Sequence, residues 1–168
     1  DYLEHQQKYA DLHGPYQSQS DTEVLFKALV TEGLGALPHL NGMWAFAFLD
    51  RLEKTVCLAR DPFGKKPLFY YHDAHNFIAA SEVKAIFAIL NTQRTLDEVL
   101  VSAFLLGKLA PVGSAGRTLY KGILELPPGN SLQLNIDDNT IRILSDNTVL
   151  RYLSASPRPA TLKADLSK

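Results

Sequence analysis

The sequence predicts an α+β fold, mainly antiparallel sheets with flanking helices. Three observations lead there. Gly42 to Tyr71 reads as three strands joined by two turns. Apolar stripes at helical spacing precede and follow it, at Val24–Leu29 and Val83–Leu90. Further on, short alternating runs are separated by strong turn signals, Pro127-Pro128-Gly129-Asn130 and Asp137-Asp138-Asn139.

In chain order, Tyr2 to Leu12 is expected to be a helix ended by His13-Gly14-Pro15, with Tyr16 to Gln19 irregular. Ser20-Asp21-Thr22-Glu23 fits a capping box, a Ser at the N-cap with Glu three residues later. Val24, Leu25, Ala28 and Leu29 form the buried stripe of the helix that follows, and Gly33 stops it. Leu34 to Asn41, with Gly35 and Pro38, is expected to be loop or broken turn.

Met43 to Leu49 places Trp44, Phe46 and Phe48 on one face of a strand and Ala45 and Ala47 on the other. That parity suits a central strand with a packed layer on each side. Val56–Ala59 and Pro67–Tyr71 supply the next two strands. Between them, Pro62 sets a turn, Gly64 permits positive φ and Pro67 forces Lys66 to be extended. Phe77–Ala80 is a fourth strand after a polar turn at His72–Asn76. Helices are expected from Ser81-Glu82 to Leu90 and from Leu96-Asp97 to about Leu106. Lys108 to Thr118 is loop. Leu119–Leu126, Ser131–Ile136, Ile141–Leu144 and Val149–Leu153 read as strands, and Ser154–Lys168 as a mobile tail.

The 168 residues suit one domain, and 46% hydrophobic content allows a sizeable core. A net charge of -1 gives no basic field for nucleic acid. No apolar run reaches membrane-spanning length, and the first residues are no signal peptide. One cysteine, Cys57, excludes an internal disulfide framework or a cysteine-rich zinc site. A cytoplasmic protein is the resulting expectation.

Few residues carry chemical signals. His72 and His75 lack further ligands nearby, so no metal is expected; exposed turn histidines are the simpler reading. Cys57 lies between Val56 and Leu58 in a strand, where a thiol behaves as a small hydrophobe. Arg60 and Asp61 read as a charged pair fixing a strand end, while Lys65 and Lys66 could bind an anion; the structural reading is the one favoured, so that Arg60, Asp61 and Lys66 mark a structural or interface turn. No P-loop or dinucleotide fingerprint occurs. Asp21 has two readings: a first-turn carboxylate facing free backbone N–H groups, or a ligand for a substrate ammonium group.

In that order, the segments SDTE, LNGMWAFAFLD, ARDPFGKKPLFYY and ASEVKA, followed by TLYKGILELPPGNSLQL, closely resemble the glutaminase domain of glutamine-hydrolysing asparagine synthetases. The resemblance covers about Asp1 to Leu153, and its specificity lies in the combination. It implies an N-terminal-nucleophile hydrolase sandwich (αββα), here partial. It implies a parent reaction in which glutamine is hydrolysed and the ammonia passes to a second domain, where ATP activates aspartate and asparagine forms. Asp21 matches the aspartate that holds the glutamine α-amino group.

The family's attacking cysteine, its Asn-Gly-Glu oxyanion segment and its carboxylate-binding arginine are not in this sequence, so no catalytic residue is assigned. Nor is the SGG-x-DS loop that cradles pyrophosphate. The expectation is a later part of a glutaminase domain, 1–153, and a linker, 154–168, towards a synthetase domain, with ATP and Mg bound only there. As an isolated chain it is expected to be inactive. Two other readings stay open: a non-catalytic scaffold completing a partner chain, and part of a β-lactam-synthetase-like enzyme.

Overall fold

A computed structural model describes Tyr9 and residues 15–91, 94–108 and 116–145. The expected strand at Val149–Leu153, the tail beyond it and most of the Tyr2–Leu12 helix lie outside these residues. The chain divides into two compact units, Asp1–Gly42 and Met43–Lys168.

In the first unit, helix α1 spans Asp21–Glu32. Ser20 caps it by accepting from the Thr22 N–H, and Gly33, at φ +56°, ends it. Val24, Ala28 and Leu29 are buried. Val24 and Ala28 pack with Tyr9 and Ala36. Instead of the expected loop, Gly33–His39 winds into a 3-10 helix that buries Ala36 and Leu37. Glycine and proline oppose an α-helix here but tolerate a short i→i+3 winding.

The second unit holds two antiparallel sheets. The strands are β1 Ala45–Asp50, β2 Thr55–Arg60, β3 Phe69–His72, β4 Phe77–Ala80, β5 Ile123–Glu125, β6 Asn130–Asn135 and β7 Ile141–Ser145. One sheet has the order β1-β2-β6-β7 and the other β4-β3-β5. Leu58, Leu132 and Leu134 of the first sheet meet Leu68, Tyr70 and Leu126 in one buried cluster, joined by Phe77, Ala79 and Leu124. The opposite face of the smaller sheet packs on helix α2, Val83–Leu90, where Ile86 and Phe87 meet Ile78 and Ile123, with Phe69 and Tyr71 against them. The period of two along β3, β4 and β5 thus serves two layers at once. Sheet, sheet and helix stack in that order.

Two expectations need correction. The strand carrying Trp44, Phe46 and Phe48 stands at the edge of its sheet among the described residues; β2 is the central strand, paired with β1 and β6. Its parity is nevertheless as expected. Ala45 packs on the inter-sheet cluster, while Trp44 and Phe46 stack at 5.5 Å on the other face. The strand expected over Leu119–Leu126 shrinks to β5, because Gly122, at φ +80°, turns the chain and Tyr120 bridges to Leu96 instead. Helix α3 covers Glu98–Leu105, with Asp97 as its cap.

Candidate functional site

Two clusters hold the residues that the sequence singles out, one in each unit. At the start of α1, Asp21 is exposed, and Thr22 Oγ1 donates to its carboxylate at 3.5 Å. Glu23, two residues on, is engaged differently from the expected box. Its carboxylate accepts from the backbone N–H groups of Gln17 and Ser18 and from the Ser18 hydroxyl, at 2.7 to 3.2 Å. The Lys27 ammonium lies 3.6 Å away, one helical turn on. The Gln17 N–H, the Ser18 hydroxyl and the Ser18 N–H hold the Glu23 carboxyl down at about 2. Glu23 therefore pins the segment entering the helix, and only half of the capping box forms.

An open cleft of about 730 Å³ runs beside this turn. Its lining includes Ser18, Ser20, Thr22, Phe26, Lys27 and Val30. Asp21 is flanked in sequence by two of these residues but is not itself in the lining.

The second cluster follows β2. Arg60 and Asp61 are buried. The guanidinium donates from Nε to the Lys66 carbonyl at 2.7 Å, from Nη2 to the Gly64 carbonyl at 3.0 Å, and from Nη1 to the Leu126 carbonyl at 2.7 Å. Its ion pair is with Glu125, at 2.6 Å, rather than with its neighbour Asp61. Asp61 Oδ1 accepts from the N–H groups of Phe63 and Lys65, and Oδ2 from that of Lys66, each at 3.0 Å. Burial pushes the Asp61 carboxyl up, but the three N–H donors and the nearby guanidinium outweigh it and hold it below the usual range. The Asp61 carbonyl accepts from both Gly64 and Gly129, and its N–H donates to Trp44. One residue thus joins the entry to β1, the 62–66 turn and the Pro128-Gly129 turn. Gly64 is required: φ is +61°, and an added Cβ would stand 2.7 Å from Pro128 Cγ.

The Arg60 and Asp61 side chains are turned inward. Lys66 contributes its backbone to the turn, and its side chain is exposed, as is that of Lys65. Sequence reasoning missed Glu125, and it read Gly129 as part of a turn without its bond to Asp61; Glu125, the one carboxylate in an otherwise apolar strand, was the available signal. His72 ends β3 and bonds Asn139 at 2.9 Å, while His75 is exposed in the following turn. Among the described residues, no three His, Cys, Asp or Glu side chains converge to hold a metal ion. Cys57 is buried, and desolvation pushes its thiol up. That is the reverse of what a nucleophile requires. No helix among the described residues is long and apolar enough to cross a membrane.

Stacked antiparallel sheets with a helix on the smaller one make a partial sandwich of the N-terminal-nucleophile hydrolase fold. Two solved structures share the fold: a glutamine phosphoribosylpyrophosphate amidotransferase from B. subtilis complexed with ADP and GMP, at TM-score 0.55 and 20% identity over 85% of this chain and 26% of that one, and an allosteric regulatory enzyme of purine biosynthesis, at TM-score 0.56 and 21% identity over 86% of this chain and 26% of that one. The family model described as "Glutamine amidotransferase domain" matches residues 1–145, and the chain belongs to that family.

Among curated relatives, asparagine synthetase [glutamine-hydrolyzing] 3 of Bacillus subtilis is 34% identical over 122 residues, which is 73% of this chain and 20% of that protein. Asparagine synthetase [glutamine-hydrolyzing] 2 of the same organism is 32% identical over 133 residues, 77% of this chain and 18% of that protein. The chain therefore spans about a fifth of the length of these relatives.

Proposed function

We propose that this stretch is the later part of the glutaminase domain of an asparagine-synthetase-type enzyme, and that Asp21 holds the α-ammonium group of glutamine. The observation that carries the reading is the contrast between two neighbouring carboxylates. Glu23 is consumed by the loop before α1, whereas Asp21 is exposed at the helix start and, among the described residues, has only a long contact to Thr22. A carboxylate so placed is available for a charge-assisted bond to an ammonium donor. Its place in the first turn also suits the positive end of the helix dipole, so one side chain serves both ends.

The Arg60–Asp61 turn has a supporting role in this reading. It fixes the end of β2 and displays Lys65 and Lys66, and it takes no direct part in the chemistry. Glutamine hydrolysis of this kind needs an activated nucleophile and donors for the developing oxyanion. Buried Cys57 does not meet the first need. The thiol, together with the site where ATP and Mg act, belongs to other parts of the longer protein. Residues 154–168 are a linker towards its amide-forming domain, and the enzyme works in the cytoplasm.

The test compares the longer protein with the 168-residue chain. The longer protein should release ammonia from glutamine and form asparagine with either glutamine or free ammonia as nitrogen source. The isolated chain should release none. Ammonia release from the isolated chain, or a longer protein indifferent to glutamine, contradicts the reading.

A further inference from the structure

We infer that helix α3 is the surface on which the amide-forming domain of the longer protein docks; this rests on the reading just proposed. Of its eight residues, EVLVSAFL, only Leu100 is buried. Val99, Phe104 and Leu105, with Leu106 just past its end, stand exposed round the sides of the helix away from Leu100, Phe104 at 70% and Leu105 at 76%. From residue 98 to 108 the only charges are Glu98 and Lys108, one at each end. Large apolar side chains grouped in this way on one short helix differ from the scattered exposed apolar residues of an ordinary surface. The uncharged middle selects an apolar partner face rather than a charged one.

Size decides which partner. An eight-residue helix is about 12 Å long. That is too little surface for a stable association of separate copies, which takes roughly 800 Å² from each partner. A covalently attached domain needs less, because the link supplies a high effective concentration and interfaces between domains of one chain are smaller. Chain to supply such a domain exists in the relatives, of which this stretch spans 20% and 18%. The start of α3 is anchored to the rest of its unit. Asp97 caps it through the Leu100 N–H and pairs with Arg117, and its N–H donates to the Leu119 carbonyl.

The experiment uses the longer protein with a diazirine analogue of leucine in place of Leu105, a near-isosteric change. After irradiation, cross-links are mapped by mass spectrometry, and hydroxyl-radical labelling of the unmodified protein compares Leu105 with Leu52, which is 94% exposed. The expected result is cross-linking to residues outside 1–168, with Leu105 labelled at least twofold more slowly than Leu52. Cross-links confined to 1–168 or made to another copy, or labelling of Leu105 less than twofold slower, overturn the proposal. Neither readout requires catalysis. A longer protein that cross-links as expected yet ignores glutamine would sink the proposed function and leave the docking surface standing.

Discussion

Asp61 contributes through the number of groups it satisfies. Its carboxylate accepts three backbone N–H groups, and its own carbonyl accepts two more. Asp61→Ala strands the three donors that the side chain serves, each of which costs about 1–3 kcal/mol when buried without a partner. The expected loss is about 3 kcal/mol or more, read from the urea midpoint; a variant within 0.5 kcal/mol of the parent would show that water replaces the carboxylate. Gly64→Ala is expected to cost about 1–2 kcal/mol for the left-handed backbone alone, and more because the methyl meets Pro128. Glu23 gives a pH signature. Its folded carboxyl sits at about 2, below its ordinary 4.5. The stability that it adds is therefore fully present above pH 4.5 and is lost as pH falls towards 2. Glu23→Gln should flatten the stability profile in that window, and an unchanged acid limb would show that the Gln17–Ser18 anchor does not hold in solution.

At the scale of elements, the strands and helices were largely legible because each carries its period. Val83–Leu90 shows the 3.6 repeat and buries Ile86 and Phe87 as that repeat requires. Trp44, Phe46 and Ala45 divide by parity as a strand must. What failed to show is what depends on distant partners. Nothing local marks β1 as an edge, since edge position is set by β6 pairing with β2. The Ser20–Glu23 signal was real but ambiguous: Glu23 accepts from Gln17 and Ser18, and the Ser20 N–H donates to the Ser18 hydroxyl instead. Asp21 could be named from the sequence, through its motif; its contrast with Glu23 could not. Leu58 tests the packing of the two sheets. It is fully buried where they meet, so Leu58→Ala should cost about 2–5 kcal/mol. A smaller loss in thermal or urea unfolding would mean that the sheets do not stack as described.

At the scale of the whole molecule, frame and chemistry are separate. The two core clusters of the sheets draw on residues 45–141, and the polar groups of the Arg60–Asp61 turn are spent on holding that turn in place. The place proposed for a substrate, among the described residues, is the start of α1, where helix capping and ligand binding would make the same demand for a carboxylate. The most direct measurement is the KM for glutamine of the longer protein carrying Asp21→Asn. The substitution preserves size and an oxygen acceptor but removes the charge that pairs with an ammonium group. The account expects KM to rise at least tenfold while synthesis from free ammonia keeps its parent rate. An unchanged glutamine KM, with ammonia-dependent synthesis intact, would contradict it.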